Sequence, residues 1–436
     1  MEYGITNRWN KNFLLLIRLL LERRKNFKLF GSVRLGSNIT PKQAFDTGFK
    51  HIALALGAGS PKLLDMKDTV AKGVRTASDF LMSLQLGTAH KKDSLTNLQI
   101  RMPVVVIGGG LTALDAATES LAYYPKLVKK FALFYKDTKL NEEEQQIADE
   151  FFAHDELFKN SESLLKSLKS LGGAKIIYRN RLQNAPSYRL NHEELKLGLS
   201  EGVEFVENAT PTKILLDKYG YVSGLEIWQD GKKSTIPAKT ILIAAGTVPN
   251  VILSQEFPEY LQKEGKYFKI LEDKFIAYNN GKNSISFFGD LHPDYAGNVV
   301  KAMASAKAGY PVISKLLKND IEFVKEEFFK LLYNQLTSTL TQVNRLTPNI
   351  VELVIKSPLA ASNFKPGQFF KLQNYANNNL PLMEGIALTG AKVENDNIST
   401  IVLEMGNSSN LCSKLQVGEK LALMGPTGSP TEITSN

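Results

Sequence analysis

At 436 residues, 43% apolar and 22% charged, the chain is long enough for two or three domains of roughly 100–200 residues, and its composition excludes a disordered or fibrous protein. The formal net charge of +9 is uneven: residues 1–36 carry Arg8, Lys11, Arg18, Arg23, Arg24, Lys25, Lys28 and Arg34 against Glu2 and Glu22. Cys412 is the single cysteine, which excludes a disulfide framework, a CxxC redox pair and a cysteine-ligated iron–sulfur cluster within this chain.

Phe13 to Arg24 is expected to form a helix. Its apolar run, Phe13 to Leu21, needs a core, so the basic residues around it read as a solvated helix face and not as a nucleic-acid or membrane surface. The run is broken by Arg18 and falls well short of the about 20 residues of a membrane span. No signal-peptide cleavage pattern follows, and the expected location is the cytoplasm. A buried strand at His51–Leu56 then leads into Gly57-Ala58-Gly59-Ser60-Pro61-Lys62. That loop reads as structural, because Lys62 stands at the third glycine position, Pro61 interrupts it and no clean long helix follows.

From residue 101 to 318 strands and helices alternate, which predicts parallel βαβ units. Pro103–Ile107 is the first strand, with Lys175–Tyr178, Val203–Val206, Lys213–Leu216, Val222–Trp228 and Thr240–Ala244 as further members. Pro125–Gly173, rich in Glu, Lys, Leu and Phe, is too long for a simple connection and reads as an inserted helical hairpin. A charged helical stretch, Ile313–Lys330, leads to short β-like runs at Thr339–Val343, Ile350–Ile355, Phe369–Leu372 and Ser399–Leu403. Turn signals separate them, including Pro366-Gly367 and Gly425-Pro426-Thr427-Gly428, and the spacing predicts a small antiparallel barrel.

The strongest chemical signal is Val104-Val105-Val106-Ile107-Gly108-Gly109-Gly110-Leu111-Thr112-Ala113, a strand running into Gly-x-Gly-x-x-Ala and then a helix. Gly108 permits the tight turn, Gly110 lets backbone approach a pyrophosphate, and Ala113 allows close helix–strand packing. The helix start offers N–H groups and a positive dipole end to the anion. At the end of a second strand, a carboxylate suits NAD and arginine the 2′-phosphate of NADP. If that strand is Ala174–Tyr178, it ends in Arg179-Asn180-Arg181, whose guanidinium forks match phosphate oxygens and favour NADP. A competing second strand, Phe131–Tyr135 followed by Lys136-Asp137, blurs that preference. Ala244-Ala245-Gly246-Thr247 repeats the strand–small–Gly exit of Ala55-Leu56-Gly57-Ala58, as expected where a chain passes between two nested nucleotide domains. Ser286-Phe287-Phe288-Gly289-Asp290, followed by Gly297-Asn298 opening a small-residue helix, offers an aspartate for a ribityl hydroxyl and a helix start for a reduced flavin ring; a simple capping aspartate is the alternative.

Taken in order, these motifs resemble the small chain of glutamate synthase, a two-dinucleotide-domain flavoprotein, over residues 2–317. Glu2-Tyr3-Gly4-Ile5, Lys11-Asn12-Phe13 and Ala53 to Ala58 look like the later half of the family's FAD domain, and Lys72-Gly73-Val74 with Ala77 to Leu81 looks like its hinge. Val106 to Ala113 and Tyr178-Arg179-Asn180-Arg181 resemble the NADPH fingerprint and its phosphate-selecting strand end, while Gly246 and Gly289-Asp290 resemble the FAD-proximal exits. Residues 333–436 resemble the flavin-binding barrel of ferredoxin reductases, carried by Phe364 to Phe369, Gly418 to Leu421 and Met424-Gly425-Pro426.

The resemblance implies an α/β fold of two nested Rossmann-like dinucleotide-binding domains, the first incomplete, followed by the small barrel. The expected division is 1–100 partial FAD-binding domain, 101–250 NAD(P)H-binding domain with an insertion at 125–173, 251–318 return to the FAD domain, 319–332 linker and 333–436 truncated barrel. The implied cofactors are NADPH, on Gly108, Gly110, Ala113, Arg179 and Arg181, and FAD, near Gly246, Gly289, Asp290, Gly297 and Asn298. No catalytic side chain and no metal are assigned, since the flavin supplies the chemistry. Two departures stand out: the family's first FAD strand with its glycine loop has no counterpart, and Glu384-Gly385-Ile386-Ala387 stands where the barrel family anchors flavin with Arg-Pro-x-Ser. Two readings follow. One is an NADPH-to-FAD oxidoreductase serving an electron-acceptor protein; the other is an incomplete remnant or one piece of a split oxidoreductase whose FAD half comes from a complementary polypeptide. Neither involves nucleic acid or membrane.

Overall fold

A computed structural model describes residues 13–135, 139–318, 326–375 and 379–432. The chain forms two units, one of residues 1–15 and 59–248 and the other of residues 16–58 and 249–436. The first therefore takes in residues 59–100, which the sequence reading assigns to the FAD domain.

The centre of the first unit is a five-stranded parallel sheet in the order Val74–Thr76, Thr240–Ile243, Val104–Ile107, Ala174–Ile177, Glu204–Val206. Val104–Ile107 is buried along its whole length: Val104 and Val106 share a core with helix residues such as Leu114 and Leu121, and Val105 and Ile107 share one with Ile214, Leu225 and Ile227. Strand order reverses direction beside it: the chain moves one way to Ala174–Ile177 and the other way to Thr240–Ile243. In open α/β sheets the crevice at such a switch point, at the carboxyl ends of the strands, is where ligands sit.

Several sequence expectations change here. The helix after the glycine turn runs from Leu111 to Phe134, straight through Pro125, so Pro125 does not begin the insertion and Phe131–Phe134 is helical instead of a competing strand. Its buried face, including Leu114, Leu121, Tyr124 and Leu127, outweighs the one hydrogen bond a mid-helix proline removes. The insertion proper is a pair of helices, Glu142–Lys159 and Leu164–Ser170, the first opened by a reciprocal Asn141–Glu144 capping box. The runs at 213–216 and 222–228 do not join the parallel sheet. They lie in Ala209–Leu216 and Val222–Gln229, which with Lys232–Pro237 make a separate antiparallel sheet. Asp230 and Gly231, with φ of 49° and 77°, close its second hairpin as a two-residue turn with both residues left-handed.

In the second unit, His51–Leu54 pairs in parallel with Ser284–Phe287, which pairs antiparallel with Ile276–Asn279. Ser338–Thr347, Ile350–Lys356, Asn397–Leu403, Ile386–Glu394, Phe369–Asn374 and Lys420–Thr427 close in that order into a six-stranded antiparallel barrel. The six strands close as a ring, and Gly425 to Thr427, read as a turn, belongs to the last of them. Asn38 fastens it: the buried amide donates to the Leu423 carbonyl at 2.8 Å and accepts from Gly425 N at 3.2 Å. The 319–332 linker expectation falls partly outside the described residues; Glu326–Leu336 is helical. One expectation fails outright. The helix at Phe13–Glu22 buries no residue, so its apolar run has no core among the described residues.

The insertion is clamped to the first unit's sheet by Glu150, which accepts from Arg101 at 2.5 Å and from Lys239 at 2.7 Å. Burial raises the Glu150 carboxyl, but the two cations outweigh burial and hold it below its ordinary value. A depressed carboxyl contributes stability that is present above its unfolded pKa and lost as pH falls through the folded one. Glu150→Gln should therefore cost about 2–4 kcal/mol at neutral pH, by leaving Arg101 and Lys239 poorly compensated. The gap from the parent in thermal or urea unfolding should close as pH drops below the ordinary carboxylate range. A gap independent of pH would contradict this origin.

Candidate functional site

The carboxyl ends of three adjacent strands in the first unit meet at one place. Ile107 passes into Gly108, whose φ is +153° and whose missing side chain makes room for the neighbouring exit: a Cβ there would lie 2.4 Å from the Ala244 carbonyl oxygen. Gly109 is closed off from the other side, since a Cβ would lie 2.4 Å from the Tyr178 ring. Its carbonyl accepts from Ser187 N at 2.9 Å, at the start of the helix Pro186–Ser200. Gly110 differs from both. It is the N-cap of the long helix, makes no side-chain capping bond, and a Cβ on it would meet nothing within 4 Å. Backbone at Gly110 is thus open on the side where Gly108 and Gly109 are packed shut. Ala113 is fully buried, where a larger side chain would push the helix off the sheet.

The second strand brings Arg179 and Arg181 to the same end. Tyr178 lies against Gly109, its hydroxyl donating to the Asn184 carbonyl at 3.2 Å, and the two arginines follow on an exposed turn. Neither has an ion-pair partner among the described residues. Glu207, at the end of the next strand, is engaged elsewhere, accepting from Leu182 N at 3.0 Å. Gly246, with φ +98°, shapes the third exit, and its carbonyl accepts from Lys62 N at 3.0 Å. Thr247–Val248 and Ser60–Pro61 pair antiparallel at that point, so the Gly57–Lys62 loop serves the chain crossing.

Gly289, Asp290, Gly297 and Asn298 lie in the second unit and form a separate cluster. Gly289 N donates to Ser305 Oγ at 2.8 Å, and Asp290 Oδ1 accepts from Gly297 N at 2.8 Å. Asn298 caps the helix Val299–Leu316 by accepting from Lys301 N at 2.9 Å. One carboxylate oxygen of Asp290 is thus committed to the turn just before the Asn298 cap. Beneath it His292 is fully buried against Phe275 and Phe287, with Nδ1 accepting from Asp294 N and Nε2 donating to the Lys274 carbonyl. Burial lowers its pKa.

The sequence motifs contain Gly109 and Tyr178 without giving them a part of their own, and in the structure they set the height of the turn; Ser305, which fixes Gly289, carried no sequence signal. In the barrel, Glu384 N donates to Ser408 Oγ, and the Lys371 side chain lies where a Cβ on Gly385 would go. Those residues do not fit a flavin phosphate anchor.

The geometry separates the glycines experimentally. Gly108→Ala should destabilise the first unit by about 2–4 kcal/mol, through left-handed strain and collision with the Ala244 carbonyl. Gly110→Ala should stay within about 0.5 kcal/mol of the parent. Equal shifts in thermal unfolding for the two variants would contradict this assignment of roles.

Over its whole length the chain is 47% identical to the uncharacterised protein RP006 of Rickettsia prowazekii, and it spans 62% of that protein's length. Among solved structures it is similar to Mycobacterium tuberculosis FprA in complex with NADPH, at 15% identity over 75% of this chain and 77% of the other, with a TM-score of 0.47. It is also similar to the ferredoxin reductase for the CYP199A2 system from Rhodopseudomonas palustris, at 14% identity over 81% and 67% of the two chains, with a TM-score of 0.35. Residues 19–306, about two thirds of the chain, match the pyridine nucleotide-disulphide oxidoreductase family, and the chain belongs to that family.

Proposed function

We propose that the chain is an NADPH-dependent flavoprotein oxidoreductase of the glutamate synthase small-chain type. It passes hydride from NADPH to FAD, and electrons then go to a separate acceptor protein. The observation that supports this most is the open helix start at Gly110 beside two exposed, unpaired arginines. The Leu111 and Thr112 amides at that start lie in the first turn of the helix, where N–H groups have no intrahelical partner and favour an anion. Arg179 and Arg181 take the 2′-phosphate.

When bound, FAD supplies the redox chemistry. The chain's own part is to place it: Asp290 and the Asn298 helix start stand on the flavin side, and Gly289 keeps backbone close. Among the described residues of the second unit, no strand–glycine–helix turn like that at Gly108 is present to hold a diphosphate. We therefore read this chain as holding FAD only with a segment supplied by a complementary oxidoreductase polypeptide. The second reading, a catalytically incomplete piece that binds NADPH alone, draws on the same observation and on the hydrogen bonds that already occupy Gly289 N and Asp290 Oδ1.

Gly110→Val fills the open space, so it should abolish the protection that NADPH gives against thermal unfolding; parent-level protection in that variant would refute the site. Replacing Arg179 and Arg181 together by alanine should weaken NADPH by about 1.5–3 kcal/mol and leave NADH unchanged. An unaltered ratio of the two dissociation constants would remove the arginines from the account. The purified chain alone should show little absorbance near the flavin band at about 450 nm. Tight, stoichiometric FAD would contradict the need for a second polypeptide.

A further inference from the structure

The first unit has a second concave feature, at the opposite end of its parallel sheet from the glycine turn. Beside the amino ends of Val74–Thr76, Thr240–Ile243 and Val104–Ile107 lies a cavity of about 250 Å³. The length of a strand, about four residues or on the order of 13 Å, separates it from Gly108. Four of its lining residues are cations, Lys72, Arg75, Arg101 and Lys239, and none is an acid. The carboxylates that pair with them stand outside the lining. Glu143 accepts from Lys72 at 2.6 Å and Asp79 from Arg75 at 3.0 Å, while Glu150 alone serves both Arg101 and Lys239. Four cations thus meet three carboxylates in direct ion pairs. Asp217, whose charge also acts on Lys72, is taken up by the Tyr219 and Tyr221 amides.

The cations are held in place by the fold. Gly73, at φ +91°, lets the neighbouring strand pass so closely that a Cβ would lie 2.8 Å from the Lys239 carbonyl oxygen. The buried Thr240 hydroxyl accepts from Arg101 N at 2.7 Å and donates to the Arg101 carbonyl at 2.9 Å. The Arg101 side chain is only 13% exposed. Glu150 takes one edge of its guanidinium, through Nε and Nη2, and Nη1 makes no hydrogen bond among the described residues. The Tyr221 ring lies beneath two of the charges, 4.8 Å from Lys72 Nζ and 5.6 Å from the Arg101 guanidinium carbon.

We propose that this cavity is a second anion site, separate from the nucleotide site, for a small organic molecule with two or more negative charges. Its carboxylate or phosphate groups meet Arg101 Nη1 and the lysines, and its carbon frame lies against Tyr221. Sites for drug-sized ligands span about 300–1,000 Å³, so this volume suits a compact metabolite and is too small for a dinucleotide. The site goes beyond the proposed redox function and does not depend on it.

Calorimetric titration of the full chain with citrate and with glycerol phosphate, at an ionic strength fixed with sodium chloride, tests the proposal. At least one should bind one-to-one, and the tighter identifies the anionic group. Lys72→Gln with Arg75→Gln should weaken that binding about tenfold, roughly threefold for each exposed cation lost. Their side chains are 51% and 36% exposed, so the pair of substitutions removes no core contact, and protection by NADPH should be unchanged. Gly110→Val should leave the affinity for the small anion as in the parent. Heats no larger than those of sodium chloride for both compounds would overturn the proposal. So would binding that is lost in Gly110→Val and kept in the double variant, which would put the anion on the nucleotide helix.

Discussion

The rest of the nucleotide-side architecture depends on one close approach, the passage of Gly108 against the Ala244 carbonyl. Two neighbouring parallel strands, Val104–Ile107 and Thr240–Ile243, leave the sheet side by side, and Ala244 N donates to the Ile107 carbonyl at 2.8 Å. With that bond formed, no side chain fits at Gly108, and the backbone must turn sharply into the helix. Tyr178 closes Gly109 from the second strand, so the turn has a fixed height, and the first residue with free space is Gly110. The open amides of the helix start follow from packing that shuts every other side.

This is also why the glycine turn is legible in the sequence while much around it is not. The Val104–Ala113 pattern is local: strand, glycines and helix are contiguous, and each glycine has its own steric demand. The Arg179–Arg181 strand end was legible because the aliphatic Ala174–Ile177 run is continuous with it. Pro125 misled because its local cost is real, whereas the buried face that overrides it is assembled from distant parts of the chain. The antiparallel sheet at 209–237 was misplaced because alternation alone does not say which sheet a strand joins. The Asp230-Gly231 pair, with both residues left-handed, is what encodes that hairpin.

Unit two shows the complementary failure. Apolar periodicity correctly marks Phe13–Glu22 as helix and Ile52–Leu54 as strand, but periodicity carries no information on whether a covering element is present. The helix retains the composition of a buried element and buries no residue, whereas the strand is packed through Leu54 and leaves Ala53 exposed. The barrel is the reverse case. Its residues depart from the flavin-anchoring pattern, yet the ring closes, and Asn38 places two buried hydrogen bonds into its last strand. An amide buried and satisfied in that way holds a module in place, since breaking either bond strands a polar group away from water. The barrel thus serves this chain through its fixed attachment, with no flavin chemistry assigned to it.

The central claim is that a dinucleotide phosphate sits on the start of the Leu111–Phe134 helix. Hydrogen exchange of the backbone amides from Gly109 to Ala113, with and without NADPH, tests it most directly. The account predicts marked slowing at Leu111 and Thr112, with little change at Val104–Ile107, which is already fully buried. Unchanged exchange at the helix start, with NADPH demonstrably bound, would place the nucleotide elsewhere and contradict the account.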